Sequence, residues 1–176
     1  KNIDLSFSIA KNTPIVIYAD ESKIKQVIIN LIGNSLKFTS EGFVKVSVEN
    51  LQNHVLQIKV KDSGKGILKE EQEAIFKPFE QAQNGRQTEG GTGLGLAISR
   101  KFSNLMEGDI TIESEYGKGA EFAFSFKYLE GNESILKSDK EELQVASLSP
   151  EMKGLKVAIV DDRFENRDIL YKKLNS

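Results

Sequence analysis

Two periods organise the apolar residues of this chain. Val44, Val46 and Val48 alternate with Lys45, Ser47 and Glu49, and Leu56, Ile58 and Val60 alternate with Gln57, Lys59 and Lys61. Each run reads as a strand with one buried face, and residues 50–53 between them read as a hairpin turn. The sheet is therefore antiparallel here, with helices expected on its apolar side. Leu5, Phe7 and Ile9 alternate in the same way, and residues 15–18 form a short apolar run after Pro14. They predict two further strands joined by a turn. Ile110 and Ile112, then Phe122, Phe124 and Phe126, complete the strand pattern around a turn at residues 116–119.

The helical period appears in three stretches. Asp20 predicts an N-cap, and Ile24, Val27, Ile28, Leu31 and Ile32 recur at helical spacing to about Phe38. Leu94, Ala97, Ile98, Phe102 and Leu105 repeat it, with Gly108 as the stop. From residue 128 to 154 no period is sustained, which predicts a linker. Residues 155–160 are nearly continuous apolar strand, ending in Asp161 and Asp162. Phe164, Leu170, Tyr171 and Leu174 then follow at helical spacing. This is the opening of a parallel α/β unit, whose two carboxylates suit a divalent ion, although helix capping accounts equally well for one of them.

Composition narrows the classes. The chain has 176 residues, 39% of them hydrophobic, enough for one sizeable core plus a fragment. The 24 Lys and Arg against 26 Asp and Glu give a net charge of -2, which argues against a nucleic-acid partner. There is no Cys, no signal-peptide pattern and no apolar run of the ~18 residues a membrane helix needs. The expected setting is soluble and cytoplasmic. A first residue Lys1 in place of Met suggests a piece of a longer protein, which could itself be membrane-anchored.

The chemistry concentrates at four places. Asn30, Asn34 and Lys37 fall within roughly 60° of one another on the first helix, two amides and an ammonium on one side. Amide oxygens can hold Mg²⁺ and the ammonium can reach phosphate, while a solvated helix face would have the same composition. Asp62 ends a strand and is followed by Gly64 and Gly66, where the backbone could approach a flat ligand and the carboxylate accept from an exocyclic amine. An ordinary Asp-Gly turn would look similar. Phe76, Pro78 and Phe79 precede the polar stretch 80–89, a lid composition that contains Arg86. The run GGTGLG at residues 90–95 stands where a helix leaves its first N–H groups unpaired, and so reads as a phosphate cradle. His54, the single histidine, is read as the start of a surface strand without partners for metal or phosphate chemistry.

These stretches, in this order, resemble the ATP-binding catalytic domain of sensor histidine kinases of the GHKL superfamily. NLIGNSLKFT is similar to that family's asparagine box, DSGKGI to its first glycine box, FKPF to its phenylalanine box and GGTGLGL to its second glycine box. The tail LKVAIVDD with FENRDILYKKL resembles the start of a response-regulator receiver, as in hybrid kinases. The resemblance implies an α/β (α+β) two-layer sandwich of the Bergerat type, with a mixed sheet covered by helices on one face. It implies a catalytic domain over 1–128, a linker over 129–154 and a truncated receiver over 155–176, with Asp161 and Asp162 as possible Mg²⁺ ligands.

It also implies ATP and Mg²⁺ as ligands: Asn34 on Mg²⁺, Asn30 beside Mg²⁺ and the γ-phosphate, and Lys37 on phosphate. Asp62 would select adenine, Gly64 and Gly66 would give the base room, and Ile67 and Phe79 would be further nucleotide-binding residues. Gly91, Gly93 and Gly95 would line the triphosphate from the lid, with Arg86, Thr92, Leu94 and Leu96 as further nucleotide-binding residues. Ala120 departs from the Ser or Thr the family often has there. Implied partners are a histidine-bearing dimerisation domain of the same parent, itself a homodimer, and a receiver or response regulator. Related ATPases of the gyrase, mismatch-repair and chaperone type place a Glu near Asn30 to activate water, which Asn cannot do. They and a non-catalytic nucleotide-sensing module are the alternatives.

Overall fold

The structure, a computed structural model, describes residues 1–80 and 92–132. Seven strands and two longer helices follow in the order β1 (Asn2–Ile9), β2 (Ile17–Tyr18), α1 (Glu21–Phe38), β3 (Glu41–Leu51), β4 (Val55–Asp62), α2 (Gly95–Leu105), β5 (Ile110–Glu115), β6 (Gly119–Lys127) and β7 (Leu129–Glu130). Two short 3-10 turns, Lys69–Glu71 and Ala74–Phe76, lie between β4 and α2. The main sheet has the order β1-β3-β4-β6-β5, and β2 pairs with β7 beside it. The mixed five-stranded sheet with its helices is the fold that the sequence predicts.

Asp20 caps α1 by accepting from the Lys23 N–H at 3.0 Å. The cap leads into the expected apolar face, from which Val27 and Leu31 are fully buried. β3 and β4 pair antiparallel as their hairpin predicts, Val46 opposite Val60 and Val48 opposite Ile58. Phe122, Phe124 and Phe126 of β6 add the aromatic part of the core.

Two expectations need correction and one is extended. The two N-terminal strands are joined by a turn as predicted, the Thr13 N–H donating to the Ala10 carbonyl at 3.0 Å, but they pair elsewhere: β1 runs parallel to β3 and β2 joins β7. Alternation specifies that a strand has two faces but not the direction of its neighbour, and α1 supplies the crossover that parallel pairing needs. Leu5, Phe7 and Ile9 share a sheet face with Val44, Val46 and Val48, yet they are 62%, 83% and 63% exposed. They lie on the edge strand. His54 is not in β4 but in the preceding turn, at φ +56°, where it faces Glu130 at 3.3 Å and the Tyr128 ring edge-on.

In α2 the fully buried positions are Ser99 and Ser103, whereas Ile98 and Leu105 are exposed. The reason is close packing. Ser103 donates to the Ser125 carbonyl at 2.8 Å, and a Cβ at Gly108 would stand 1.9 Å from that same oxygen. The helix end thus rests on β6 with room for only small side chains. The predicted linker beyond residue 132, the truncated receiver and Asp161 and Asp162 lie outside the described residues, as do Arg86 and Gly91.

Candidate nucleotide site

A cavity of about 440 Å³ opens between α1, the end of β4, the start of β6 and the first turn of α2. Asn30, Asn34 and Lys37 form its α1 wall, as the helical spacing predicts. Asn30 Nδ2 donates to Ser99 Oγ of α2 at 2.9 Å. A Cβ at Gly95 would lie 2.4 Å from Asn30 Oδ1, so glycine is what lets α2 come down onto that amide. Among the described residues no hydrogen bond engages the Asn34 side chain, which leaves its amide available to a ligand. The Lys37 ammonium lies 5.2 Å from the centre of the Phe38 ring.

The floor is built around Asp62, which is 5% exposed. Its Oδ1 accepts from the Gly64 N–H at 2.9 Å and the Ala120 N–H at 3.3 Å, and its Oδ2 accepts from Ser35 Oγ at 3.0 Å. Ile67, Ile75, Ala120 and Phe122 surround it with apolar surface. Gly66, at φ +67°, lines the floor, and a Cβ there would meet the Glu115 carbonyl at 2.1 Å. Gly64 is placed differently. It packs against the Phe38 carbonyl and does not line the cavity, so its contribution is the hydrogen bond to Asp62.

The loop below the floor is braced from β5. The Ile67 N–H donates to Ser114 Oγ at 2.8 Å, and Gln72 Nε2 donates to the Ile67 and Ser114 carbonyls at 3.2 and 2.8 Å. On the opposite side Thr92, Gly93, Gly95 and Leu96 line the cavity. Leu94 precedes α2 without lining it, its N–H 3.4 Å from Thr92 Oγ1. Phe79 also does not line it: the residue is 76% exposed. Behind the site Arg100 of α2 joins Asp109 at 3.0 Å and Glu73 at 3.7 Å and covers the Phe76 ring. The hydrogen bond to Asp109 is the main cause of its raised pKa. Ser35, Ser99 and the apolar floor residues Ile75 and Phe122 carried no functional signal in the sequence.

The arrangement fits an adenine nucleotide. An apolar slot around one buried carboxylate suits a flat base with an amino group, and amides, an ammonium and a helix N-terminus suit phosphates. Among the described residues no cluster of three or more His, Cys, Asp or Glu could hold a metal ion alone. A cation here would share the Asn30 and Asn34 oxygens with phosphate and water, as Mg²⁺ commonly does.

Residues 19–130 match the family described as histidine kinase-, DNA gyrase B-, and HSP90-like ATPase. The chain belongs to this family. It is 33% identical over 179 residues to the sensor protein GacS of Pseudomonas syringae pv. syringae, covering 99% of this chain and 19% of that one. It is 36% identical over 130 residues to the hybrid signal transduction histidine kinase B of Dictyostelium discoideum, covering 71% of this chain and 7% of that one. The crystal structure of full-length ShkA in complex with AMPPNP is 31% identical with a TM-score of 0.65, covering 73% of this chain and 26% of that one. The chain therefore spans less than a fifth of the length of these curated relatives. Among the described residues no helix is long and apolar enough to cross a membrane.

Proposed function

We propose that this chain is the catalytic part of a protein-histidine kinase, which binds Mg-ATP and passes the γ-phosphoryl group to a histidine on a dimerisation domain outside the chain. The observation that carries the reading is a cavity with Asn30, Asn34 and Lys37 on one wall and the buried Asp62 in its floor. Asn34 and Asn30 would hold Mg²⁺ through their amide oxygens, Lys37 would contact phosphate, and Asp62 would accept from the adenine amine. Gly93 and Gly95, with Gly91 beyond the described residues, would border the triphosphate. Bound Mg²⁺ supplies neutralisation of phosphate charge. The chain's own groups position the γ-phosphorus for in-line attack by the histidine nitrogen, and ADP leaves as the bond to its β-phosphate oxygen breaks.

His54 does not fit the acceptor role, since it sits in the β3–β4 turn against Glu130 and is followed by Val55. We read residues 1–128 as the catalytic domain, 129–154 as a linker and 155–176 as the beginning of a receiver. The alignment with GacS, which takes in nearly the whole chain, supports a sensor-kinase parent. On this reading the parent is a cytoplasmic or membrane-anchored homodimer working with a receiver or response regulator in two-component signalling. The alternative is an ATPase of the same superfamily, or a nucleotide-sensing module. Glu80, a carboxylate that also lines the cavity, is the group that could activate water in the ATPase.

The test is radiolabelled ATP with the chain alone, with the parent's histidine domain added, and with the Asn34→Ala chain in that pair. The expected result is little hydrolysis alone, weak transfer to the added histidine domain, and loss of transfer with Asn34→Ala. Fast hydrolysis by the chain alone, abolished in Glu80→Gln, would establish the ATPase.

A further inference from the structure

The buried carboxylate of Asp62 has an uneven distribution of hydrogen bonds. A carboxylate offers about four acceptor positions, two on each oxygen. Both positions on Oδ1 are taken by backbone donors, the Gly64 N–H at 2.9 Å and the Ala120 N–H at 3.3 Å. Oδ2 accepts one bond, from the Ser35 hydroxyl at 3.0 Å, which leaves it one acceptor position more than Oδ1 has, and Asp62 and Ser35 both line the cavity. Ser35 is 1% exposed, on the same helix as Asn30 and Asn34, one residue beyond the latter. Its hydroxyl bonds Oδ2, the oxygen that the backbone donors leave alone.

We infer that Ser35 is a specificity-setting positioning residue, which fixes the last open acceptor of Asp62 so that it takes one exocyclic amine of a purine and no other donor geometry. This rests on the reading of Asp62 as the adenine anchor. The physical argument is directional. Without the hydroxyl, Oδ2 has two open positions, and the carboxylate can satisfy them with water or with a ring N–H as readily as with an amine. Ser35 would then act on discrimination between bases more than on affinity for phosphate. A merely structural serine, joining α1 to the sheet, would change stability and leave the ratio between bases alone.

The experiment measures binding to the whole chain by calorimetry for ATP and for purine riboside triphosphate, which lacks the 6-amino group. Wild type, Ser35→Ala, Asp62→Asn and the double variant are compared. In Ser35→Ala, ATP affinity should fall about 3- to 10-fold, the scale of one hydrogen bond, while the amine-free nucleotide binds as before. In the Asp62→Asn background, Ser35→Ala should have no further effect on the ratio. Equal weakening of both nucleotides, or an unchanged ratio, overturns the inference. Should Asp62→Asn itself leave ATP affinity intact, the anchor reading fails, and the inference falls with it. If Ser35→Ala does not fold, Ser35→Cys carries the test, since it keeps the size with a weak donor. An intermediate base ratio is then expected, and an unchanged one overturns the proposal.

Discussion

The backbone N–H of Phe79 donates to the carbonyl of Gly93 at 3.0 Å, tying residue 79 to residue 93 across the segment 81–91. Both residues have positive φ, +65° at Phe79 and +69° at Gly93. A Cβ at Gly93 would stand 2.9 Å from the Phe79 backbone. Gly93→Ala combines that close approach with a strained backbone, a cost of about 1–3 kcal/mol. We expect it to open this tie and weaken ATP binding about tenfold or more, as read by calorimetry. Gly33→Ala is the contrast. Gly33 is helical in α1 with nothing within 4 Å of a new Cβ, so the same substitution should stabilise the fold by about 0.5–1 kcal/mol. Thermal unfolding would show the two opposite signs.

The contact between Asn30 and Ser99 holds an amide of α1 against α2. With Nδ2 given to Ser99 Oγ at 2.9 Å, the other end, Oδ1, is left facing the start of α2. Ser99→Ala removes the hydroxyl that holds the Asn30 amide against α2, without creating a large cavity. Phosphoryl transfer to an added histidine domain should fall roughly tenfold, consistent with one hydrogen bond of about 1 kcal/mol or more, while ATP affinity changes by less. Equal losses in binding and transfer would mean that Asn30 is not oriented for the phosphate end of the ligand.

The site was legible where spacing alone determines position, and hidden where a partner does. Asn30, Asn34 and Lys37 could be grouped because helical geometry places them on one side whatever surrounds the helix. The N-cap at Asp20 and the β3–β4 hairpin were legible for the same local reason. By contrast, β1 against β3 is a pairing between residues about 40 apart, and period-2 alternation is identical for parallel and antiparallel partners. Ser35 and Ser99 interrupt apolar faces and read as weak positions, because nothing local shows that Asp62 and Asn30 will meet them. Gly64 and Gly66 look equivalent in DSGKGI, yet one bonds the carboxylate and the other lines the cavity.

The N-cap of α1 carries a pH dependence of known sign. Asp20 has its pKa lowered, first by the side-chain hydrogen bond from Lys23 and then by the Lys23 backbone N–H. A depressed folded-state value means that its contribution is present above the ordinary value of 3.8 and is lost as pH falls through the lower folded value. Asp20→Asn keeps a capping oxygen but cannot titrate. The melting-temperature difference between wild type and Asp20→Asn should be small, because the group is exposed. It should be constant above about pH 5 and shrink below that as the carboxylate protonates. A difference that grows on acidification would assign the acid sensitivity elsewhere.

Asp62→Asn should do more than weaken binding, because the surrounding donors dictate how the new amide sits. The Gly64 and Ala120 N–H groups both point at Oδ1, so the amide must place its oxygen there and its NH₂ where Oδ2 was. Ser35 can turn its hydroxyl to accept from that NH₂, which keeps the pair satisfied and the fold intact. The cavity then meets a donor where it had an acceptor. An adenine amine faces repulsion as well as the loss of a charge-assisted bond of about 1.5–3 kcal/mol, so ATP affinity should fall by roughly one to two orders of magnitude. A 6-oxo purine presents an acceptor at that point. The triphosphate of inosine should therefore gain on ATP in the variant, and competition between the two nucleotides measures the exchange directly. A variant that loses both equally would show that the amide adopts the other orientation, and that the two backbone donors do not govern this carboxylate.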